Sequence, residues 1–568
     1  MISVSGHNWE ELTVNKRILE KFRIENSFSE IISKLIISRN FDKTEIFSLK
    51  NSIKVLNPIK NFSDIKNGHD ILEKSIIKKD KIYLIGDYDV DGCVATSIFI
   101  NFFKKIDKNV SFFIPNRFTD GYGASLDFIK KVIKEKPDLI IMLDCGSNSQ
   151  DTIKFLNKHN IKTLIIDHHE IIKPYPKANC IINPKKNCDY SEYDFFSAST
   201  LTYFFLDSYI KKKNLNFNFS ENLFYVLLSI VSDVMPLRKI NRYICINVLN
   251  NFDLNKNFIV KKIFELKNIK RPLEIEDLGF LIGPILNSAG RLKDCTNVIK
   301  LLTSDDDFEK EKILIDLLSL NEKRKKIEND VLNEIDFKKN INKNDNIIIL
   351  KNDIISEGII GIIASRLKDY FNKPSIVLTK SKNIYKASAR STPVFNIGKH
   401  IFNGINKKYI ISGGGHNLAA GFTIASNKIN DFKNYLNSFF LKETINNTKI
   451  YVSKISTKSL NSEFYNQIKI LEPFGSKNEN PIFLIEKVKI IKPKLIKKRY
   501  ISFFIKSKNR NFLTAISFAI PNSEISKNLL YNKKEMNLLV QMKENFWNNK
   551  KTLQLIVKDV IQLPNNAW

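Results

Sequence analysis

Residues 82–92 read IYLIGDYDVDG. The apolar run Ile82-Tyr83-Leu84-Ile85 stops at Gly86, and acids then stand at every second position, Asp87, Asp89 and Asp91. The run has the composition of a buried strand, and Gly92 leads into a stretch, Val94 to Phe103, that is mostly apolar and of helical length. A buried strand turning tightly into a helix is the repeating unit of an open parallel sheet, so this segment ties the chain to an α/β fold. It also crowds three negative charges into five residues. Carboxylates packed this closely raise each other's pKa unless cations lie between them, which points to a divalent metal site.

Two further segments repeat the pattern. Leu143-Asp144-Cys145-Gly146 and Ile165-Ile166-Asp167-His168-His169 are again apolar runs that end in an acid. Between residues 81 and 170, strands are expected at 81–86, 109–114, 138–144 and 161–166, and helices near 93–105, 125–135 and 149–158. This is a doubly wound parallel sheet. Ligands of such sheets bind beyond the carboxyl ends of the strands, where Asp87, Asp89, Asp91, Asp144, Asp167, His168 and His169 all fall.

Asp89 and Asp91 can each hold or bridge a metal, Asp144 can bridge two, and His168 adds an imidazole that suits Mn²⁺ and tolerates Mg²⁺ less well. Asp87 is expected one step back, orienting a ligand. Asp233, in SDVMP, is an acid at the end of an otherwise apolar helix running from Asn222 to Val234. An aspartate at a strand end serves equally as a helix cap, so Asp144 and Asp233 take their meaning from the acid turn and the histidine pair. Two ions about 3.5–4 Å apart can activate a bridging water and stabilise a phosphodiester's developing charge.

The bulk numbers bound the rest. A chain of 568 residues is long enough for three or four domains, since single cores rarely grow past about 250–300 residues. No apolar run approaches the roughly 20 residues of a membrane helix, and the first 20 residues lack the pattern of a secretory signal. Six cysteines without a CxxC pair suit a reducing cytoplasm and argue against a zinc ribbon. Lys and Arg number 90 against 60 Asp and Glu, a net charge of +30 that fits a polyanionic partner. The same excess follows from the Lys, Ile, Asn and Phe bias of an AT-rich genome, so charge supports a nucleic-acid role without carrying it.

Residues 307–336 form a charged stretch with apolar residues at helical spacing, a bridge between lobes. A second α/β unit begins at Ile347, continues through a helix from Gly358 to Tyr370 and a strand from Ser375 to Leu378. It contains Ser388-Ala389-Arg390-Ser391 and Gly413-Gly414-Gly415-His416. The glycine run suits a backbone nest that approaches a phosphate, and equally a turn. Arg390, Arg117 in PNRFTDGYG and Arg291 in NSAGRL are single arginines in turn-rich loops, candidates for phosphate clamps. From about residue 448 short β-type runs suggest a small barrel of the oligonucleotide-binding type.

Together these segments resemble the DHH phosphoesterase superfamily, named for the triplet seen here as Asp167-His168-His169. GDYDVDG, LDCGS, DHH, IINP, VSDVMPL, LGFLIGPILNSAGRL, ASARS, GGGHNLAAGF and LEPFGSKNENPIF carry the resemblance over nearly the whole chain. PNRFTDGYG, NSAGRL and the PFG segment are similar to its exonuclease branch, which degrades single-stranded DNA from the 5′ end. The resemblance implies five domains: an N-terminal helical extension (1–75), the DHH catalytic domain (76–305), a connecting helix (306–338), a DHHA1 domain (339–445) and an oligonucleotide-binding barrel (446–568). It implies two Mn²⁺ or Mg²⁺ ions held by Asp89, Asp91, Asp144, His168 and Asp233. His169 would contact the scissile phosphate, in a catalytic group with Asp167 and Arg291. Arg117, Arg390, Ser391, Gly414, Gly415 and His416 would contact the DNA backbone. A monomer working in the cytoplasm, in recombination and repair, on strands supplied by a helicase and a single-strand-binding protein, is the implied setting.

The chain departs from the pattern at several positions. Ile285 stands where the branch usually has Arg, Ser197-Ala198-Ser199-Thr200 replaces a glycine-rich turn, Ser147 follows DCG, and Lys477 and Glu479 replace Gly and Pro. Two rival readings remain: another DHH phosphoesterase, acting on oligoribonucleotides or cyclic dinucleotides, and a scaffold that binds DNA without cutting it. Smaller DHH enzymes carry a His four residues before the first metal-binding Asp, where this chain has Ile85. A scaffold would have lost ligands that this sequence keeps.

Overall fold

The computed structural model describes residues 1–121, 123–334, 341, 345–443, 448–497, 500–506, 512–519, 523–547 and 550–563. The chain divides into two compact units. Met1–Lys54, Pro236–Arg242 and Ile445–Trp568 form the smaller, and Val55–Met235 with Tyr243–Thr444 the larger. The smaller opens with strand β1 (Asn8–Glu11).

In the larger unit, β2 (Ile82–Gly86), β3 (Ser111–Phe113), β4 (Leu139–Leu143), β5 (Lys162–Ile166) and β6 (Cys180–Ile182) make a parallel sheet in the order β3-β2-β4-β5-β6. Every residue of β2 and β4 is buried, as continuous apolar runs in a two-faced sheet require. Register decides where the chemistry falls. Gly86 pairs with Leu143, and Leu143 with Ile166, so Asp87, Asp144 and Asp167 leave three adjacent strands at one level. The helix after β2 runs Val90–Lys105 and starts before the expected residue 93, because the Asp89 side chain caps it by accepting from Gly92 N at 3.1 Å.

The bridging helix spans Asp307–Glu334; residues 335–338 of the expected span, and the boundary expected at 445/446, lie outside or at the edge of the described residues. Beyond it, β7 (Ile348–Lys351), β8 (Ser375–Ser381), β9 (Ile384–Arg390), β10 (Ser412–His416) and β11 (Ala419–Ala425) form a mixed sheet in the order β10-β11-β9-β8-β7. The glycine run is therefore an edge strand, and neither a nest nor a turn. Gly414 pairs with Gly421 across the ladder, and a Cβ on Gly413 would lie 2.6 Å from Phe422 Cβ, so the close approach of β11 requires glycine there.

In the smaller unit, β12 (Thr448–Tyr451) pairs in parallel with β1. Strands β13 (Phe483–Val488), β14 (Ile490–Ile496), β15 (Tyr500–Lys506), β16 (Phe512–Ser517), β17 (Met536–Trp547) and β18 (Lys550–Gln562) follow in the order β13-β17-β18-β16-β15-β14, the expected barrel of the oligonucleotide-binding type. Its core takes Leu538, Val540 and Met542 from β17 and Ile501, Phe503 and Ile505 from β15, with Ile32, Leu35 and Ile36 from an N-terminal helix. The expected extension 1–75 is thus divided. Residues up to Lys54 pack with the barrel, and the helix Ser63–Ile77 belongs to the larger unit. Glu45, wholly buried, grips the Arg238 guanidinium at 2.6 and 2.7 Å and holds the inserted Pro236–Arg242 segment in the smaller unit. Lys477 sits at φ 59°, in the left-handed region where glycine is least strained, which accounts for the glycine of the resembling family at this turn.

Candidate metal centre

The aligned strand ends gather three overlapping triplets, each with ligand atoms within 4.8 Å of one another: Asp87, Asp89 and Asp144; Asp91, His168 and Asp233; and Asp144, His168 and His169. His168 Nε2 faces Asp144 at 3.3 Å, Asp233 at 3.5 Å and Asp91 at 3.7 Å. The two oxygens of Asp144, Oδ1 of Asp87 and Nδ1 of His168 are buried without a hydrogen-bond partner. Such atoms are costly to bury, and the carboxylate oxygens among them have the chemistry of cation ligands. Burial and mutual repulsion show in the acidities. Asp87 is pushed up to about 8, first by burial and then by Asp89. Burial, then Asp91 and Asp89, drive Asp144 and Asp233 well above the carboxylate range, and Asp89 also rises. Oxygen donors with one imidazole suit hard divalent ions such as Mn²⁺ and Mg²⁺.

The aspartates of the acid turn are not equivalent. Asp91 is already cradled: Oδ2 accepts from Ala198 N at 2.7 Å, and Oδ1 from Ser199 N at 2.9 Å and from the hydroxyls of Ser199 and Ser229. Ser197 caps the helix Ala198–Lys212, so the segment that replaces a glycine-rich turn presents a helix N-terminus to a carboxylate. Asp87, expected one step back, stands beside Asp89 and Asp144 with an unpartnered oxygen.

Asp167 does different work. Oδ1 accepts from the backbone of His168 at 2.8 Å and of His169 at 3.1 Å and from His169 Nδ1 at 2.8 Å, while Oδ2 accepts from Ser147 N at 3.0 Å. Burial opposes the charge, but His169 and these bonds hold Asp167 well below the carboxylate range. His169 is likewise disfavoured by burial yet raised to about 9 by Asp167, so it is a cation at neutral pH. Burial and the charged His169 lower His168 to about 3, leaving it a neutral imidazole. Ser147 belongs to this network through its hydroxyl, which accepts from Asn183 Nδ2 at 2.7 Å; the same amide donates to His169 O at 2.9 Å.

Arginines stand nearby. Arg117 donates from Nε to Gly290 O at 3.0 Å, and its guanidinium lies 4.1 Å from the Tyr88 ring centroid. Arg291 donates to Gly358 O at 3.1 Å, and Arg390, at the end of β9, to Ser388 Oγ and Ala389 O. Burial and then Arg117 and Arg390 lower Arg291 to about 10, so these cations repel one another and favour an anion between them. Gly414, Gly415 and His416 are exposed along β10. Ser391 is buried, its hydroxyl donating to Phe395 O at 2.6 Å. Ile285 is fully buried in the helix Gly283–Leu292.

Several participants escape a reading along the chain. Ser229 and Ser199 hold Asp91 from 138 and 108 residues away, and only a serine within the apolar run of the helix Leu223–Ser232 hints at the first. Tyr88, Asn183 and Glu170 lie inside or beside quoted motifs but carry no chemistry legible from their type.

Comparison with known proteins agrees along the chain. Residues 81–229 match the DHH family N-terminal domain, 344–442 the DHHA1 domain and 453–559 the RecJ OB domain. The single-stranded-DNA-specific exonuclease RecJ of Haemophilus influenzae is 27% identical over 565 residues, covering 94% of this chain and 97% of that protein. The protein of the same name from Bacillus subtilis is 26% identical over 578 residues, 98% of this chain and 71% of that one. The Mn²⁺ complex of RecJ from Thermus thermophilus shares the fold, with a TM-score of 0.81 at 19% identity over 98% of this chain and 80% of that chain. Three domain types in this order and likeness along almost the full length assign the chain: it belongs to the RecJ family of DHH phosphoesterases.

Proposed function

We propose that the chain is a metal-dependent exonuclease that degrades single-stranded DNA stepwise from the 5′ end and releases 5′-mononucleotides in recombination and repair. The observation that carries this reading is the convergence of Asp87, Asp89, Asp91, Asp144, His168 and Asp233 on one sheet edge beside mutually repelling arginines. The acids and imidazole would hold two divalent ions, Mn²⁺ or Mg²⁺, with Asp144 and His168 shared between triplets. When bound, the ions supply water activation and charge neutralisation at the phosphodiester.

The chain's own groups do the remainder. Asp167 fixes the His169 ring through Nδ1 and keeps it cationic, so it can donate to the scissile phosphate. Arg117, Arg291 and Arg390 neutralise flanking phosphates, which relieves their own repulsion. On the barrel, Phe504, Phe512 and Phe518 are exposed on β15 and β16 and just beyond, a surface on which bases can stack. Ile85, buried in β2, leaves the position of the smaller DHH enzymes' histidine apolar, which favours the exonuclease over their substrates. Among the described residues no helix is long and apolar enough to cross a membrane. The proposed setting is the cytoplasm, with the chain a monomer working on strands supplied by a helicase and a single-strand-binding protein.

Digestion of a 5′-phosphorylated single strand, a short RNA and a cyclic dinucleotide under identical Mn²⁺ conditions tests the reading. Single-stranded DNA should be consumed at least tenfold faster than either alternative, and preference for the RNA or the cyclic dinucleotide would overturn it.

A further inference from the structure

Glu170 follows the Asp167-His168-His169 triplet and lies outside every motif that carries the resemblance. Its carboxylate reaches the second sheet: Oε1 stands 3.8 Å from Nδ1 of His416, the last residue of β10, and 3.2 Å from Lys185 Nζ. Asn148 Nδ2 donates to the Glu170 carbonyl and anchors the backbone.

The two imidazoles then face each other. The rings of His169 and His416 are stacked, with centroids 6.1 Å apart and planes 21° from parallel. Asp167 holds His169 through Nδ1, and Glu170 stands against Nδ1 of His416. Two acid–imidazole pairs, one from each sheet, are thus set face to face by acids three residues apart in sequence. A carboxylate beside Nδ1 accepts that nitrogen's hydrogen and leaves Nε2 facing outward, where it donates to a phosphate oxygen in the imidazolium form. His416 is half exposed at a strand edge, where little else fixes its side-chain torsions.

We propose that Glu170 is the positioning residue for His416: its carboxylate fixes the ring over His169 and turns Nε2 toward a phosphate of the bound strand. This rests on the exonuclease reading for its consequence, though the geometric claim stands by itself. An exposed pair of this kind adds little to stability, and its worth lies in orientation. Its loss should therefore raise KM for single-stranded DNA by about threefold to fivefold, with kcat within about twofold. Glu170→Gln, which keeps an acceptor oxygen, should recover most of the loss.

A double-mutant cycle tests the proposal in the full chain. In a His416→Ala background, Glu170→Ala should add less than about 1.5-fold, because the residue it positions is gone. The same KM increase in both backgrounds, or a fall in KM, would overturn the assignment. Diethyl pyrocarbonate labelling of His416, read by peptide mass spectrometry without DNA, supplies an independent arm. Labelling should be about threefold faster in Glu170→Ala than in wild type, with Glu170→Gln between them; equal rates refute the contact. A wild-type protein inert on single-stranded DNA would sink the exonuclease reading and leave the labelling comparison to decide this one.

Discussion

Replacing Gly290 by alanine should damage the metal centre from the far side of the chain. Gly290 lies in the helix Gly283–Leu292 against the acid turn, and a Cβ there would stand 2.1 Å from Tyr88 O and 2.9 Å from Cys295 Sγ. Tyr88 sits between Asp87 and Asp89, and Arg291 follows Gly290. Ordinary contact begins near 3.4 Å, so helix and turn must separate by about 1.3 Å, the difference from 2.1 Å. The obstacle is a backbone carbonyl and not the end of a flexible side chain. Forcing a methyl against it costs about 1–3 kcal/mol of stability. A misplacement of about 1 Å can cost roughly 100-fold in rate where charges must align. Gly290→Ala should thus bind Mn²⁺ more weakly by isothermal titration calorimetry and lose about 100-fold in kcat/KM on single-stranded DNA, while remaining folded. Gly421→Ala, whose Cβ would meet only Ala387 O at 3.9 Å, serves as the control. Retention of Mn²⁺ affinity and of activity within about threefold would refute the claim that this helix sets the acid turn.

Because Asp87 is pushed up to about 8 without metal, it carries a proton at pH 7 that a cation must displace. Calorimetry in two buffers of different ionisation enthalpy should show at least one proton released as Mn²⁺ binds, and fewer as rising pH ionises the raised carboxyls beforehand; no release would contradict the crowding described. Arg390→Ala should weaken binding of single-stranded DNA and reduce the slope of log affinity against log salt by about 0.7, and an unchanged slope would remove it as a phosphate contact. Glu45→Ala should destabilise the smaller unit by about 3 kcal/mol by leaving Arg238 without its carboxylate, read as a lowered unfolding midpoint of that unit. Arg238 holds the Glu45 carboxyl below its usual range although burial pushes it up. The stabilisation is therefore present above the unfolded pKa and fades as pH falls through the lower folded one. A wild-type advantage that does not shrink as pH falls below the ordinary carboxylate range would count against the pair.

The parallel sheet was readable because β2 and β4 are apolar throughout, β5 is apolar over its last three residues, each is followed by an acid, and their common register puts those acids at one level. Which aspartate does which work was not readable, since Asp87, Asp91 and Asp167 differ only in what surrounds them. Asp91 is held mainly through Oδ1 by Ser199 and Ser229 and through Oδ2 by Ala198 N, while Asp87 keeps an open oxygen. The glycine run misled for a physical reason. Glycine has no strand preference of its own, and β10 is extended because β11 lies too close for any side chain at Gly413. The N-terminal residues misled because β1 pairs with β12, some 440 residues later, a partner that no local periodicity can reveal.

The central claim is that this cluster cuts single-stranded DNA from its 5′ end. One time course decides it: the same oligonucleotide, labelled at the 5′ or the 3′ end, is incubated with wild type or Asp144→Ala in Mn²⁺. Wild type should give labelled mononucleotide from the 5′-labelled strand at the earliest times and a descending ladder from the 3′-labelled strand, and Asp144→Ala should bind DNA without cleaving it. Mononucleotide appearing first from the 3′ label, or full activity in Asp144→Ala, would contradict the claim.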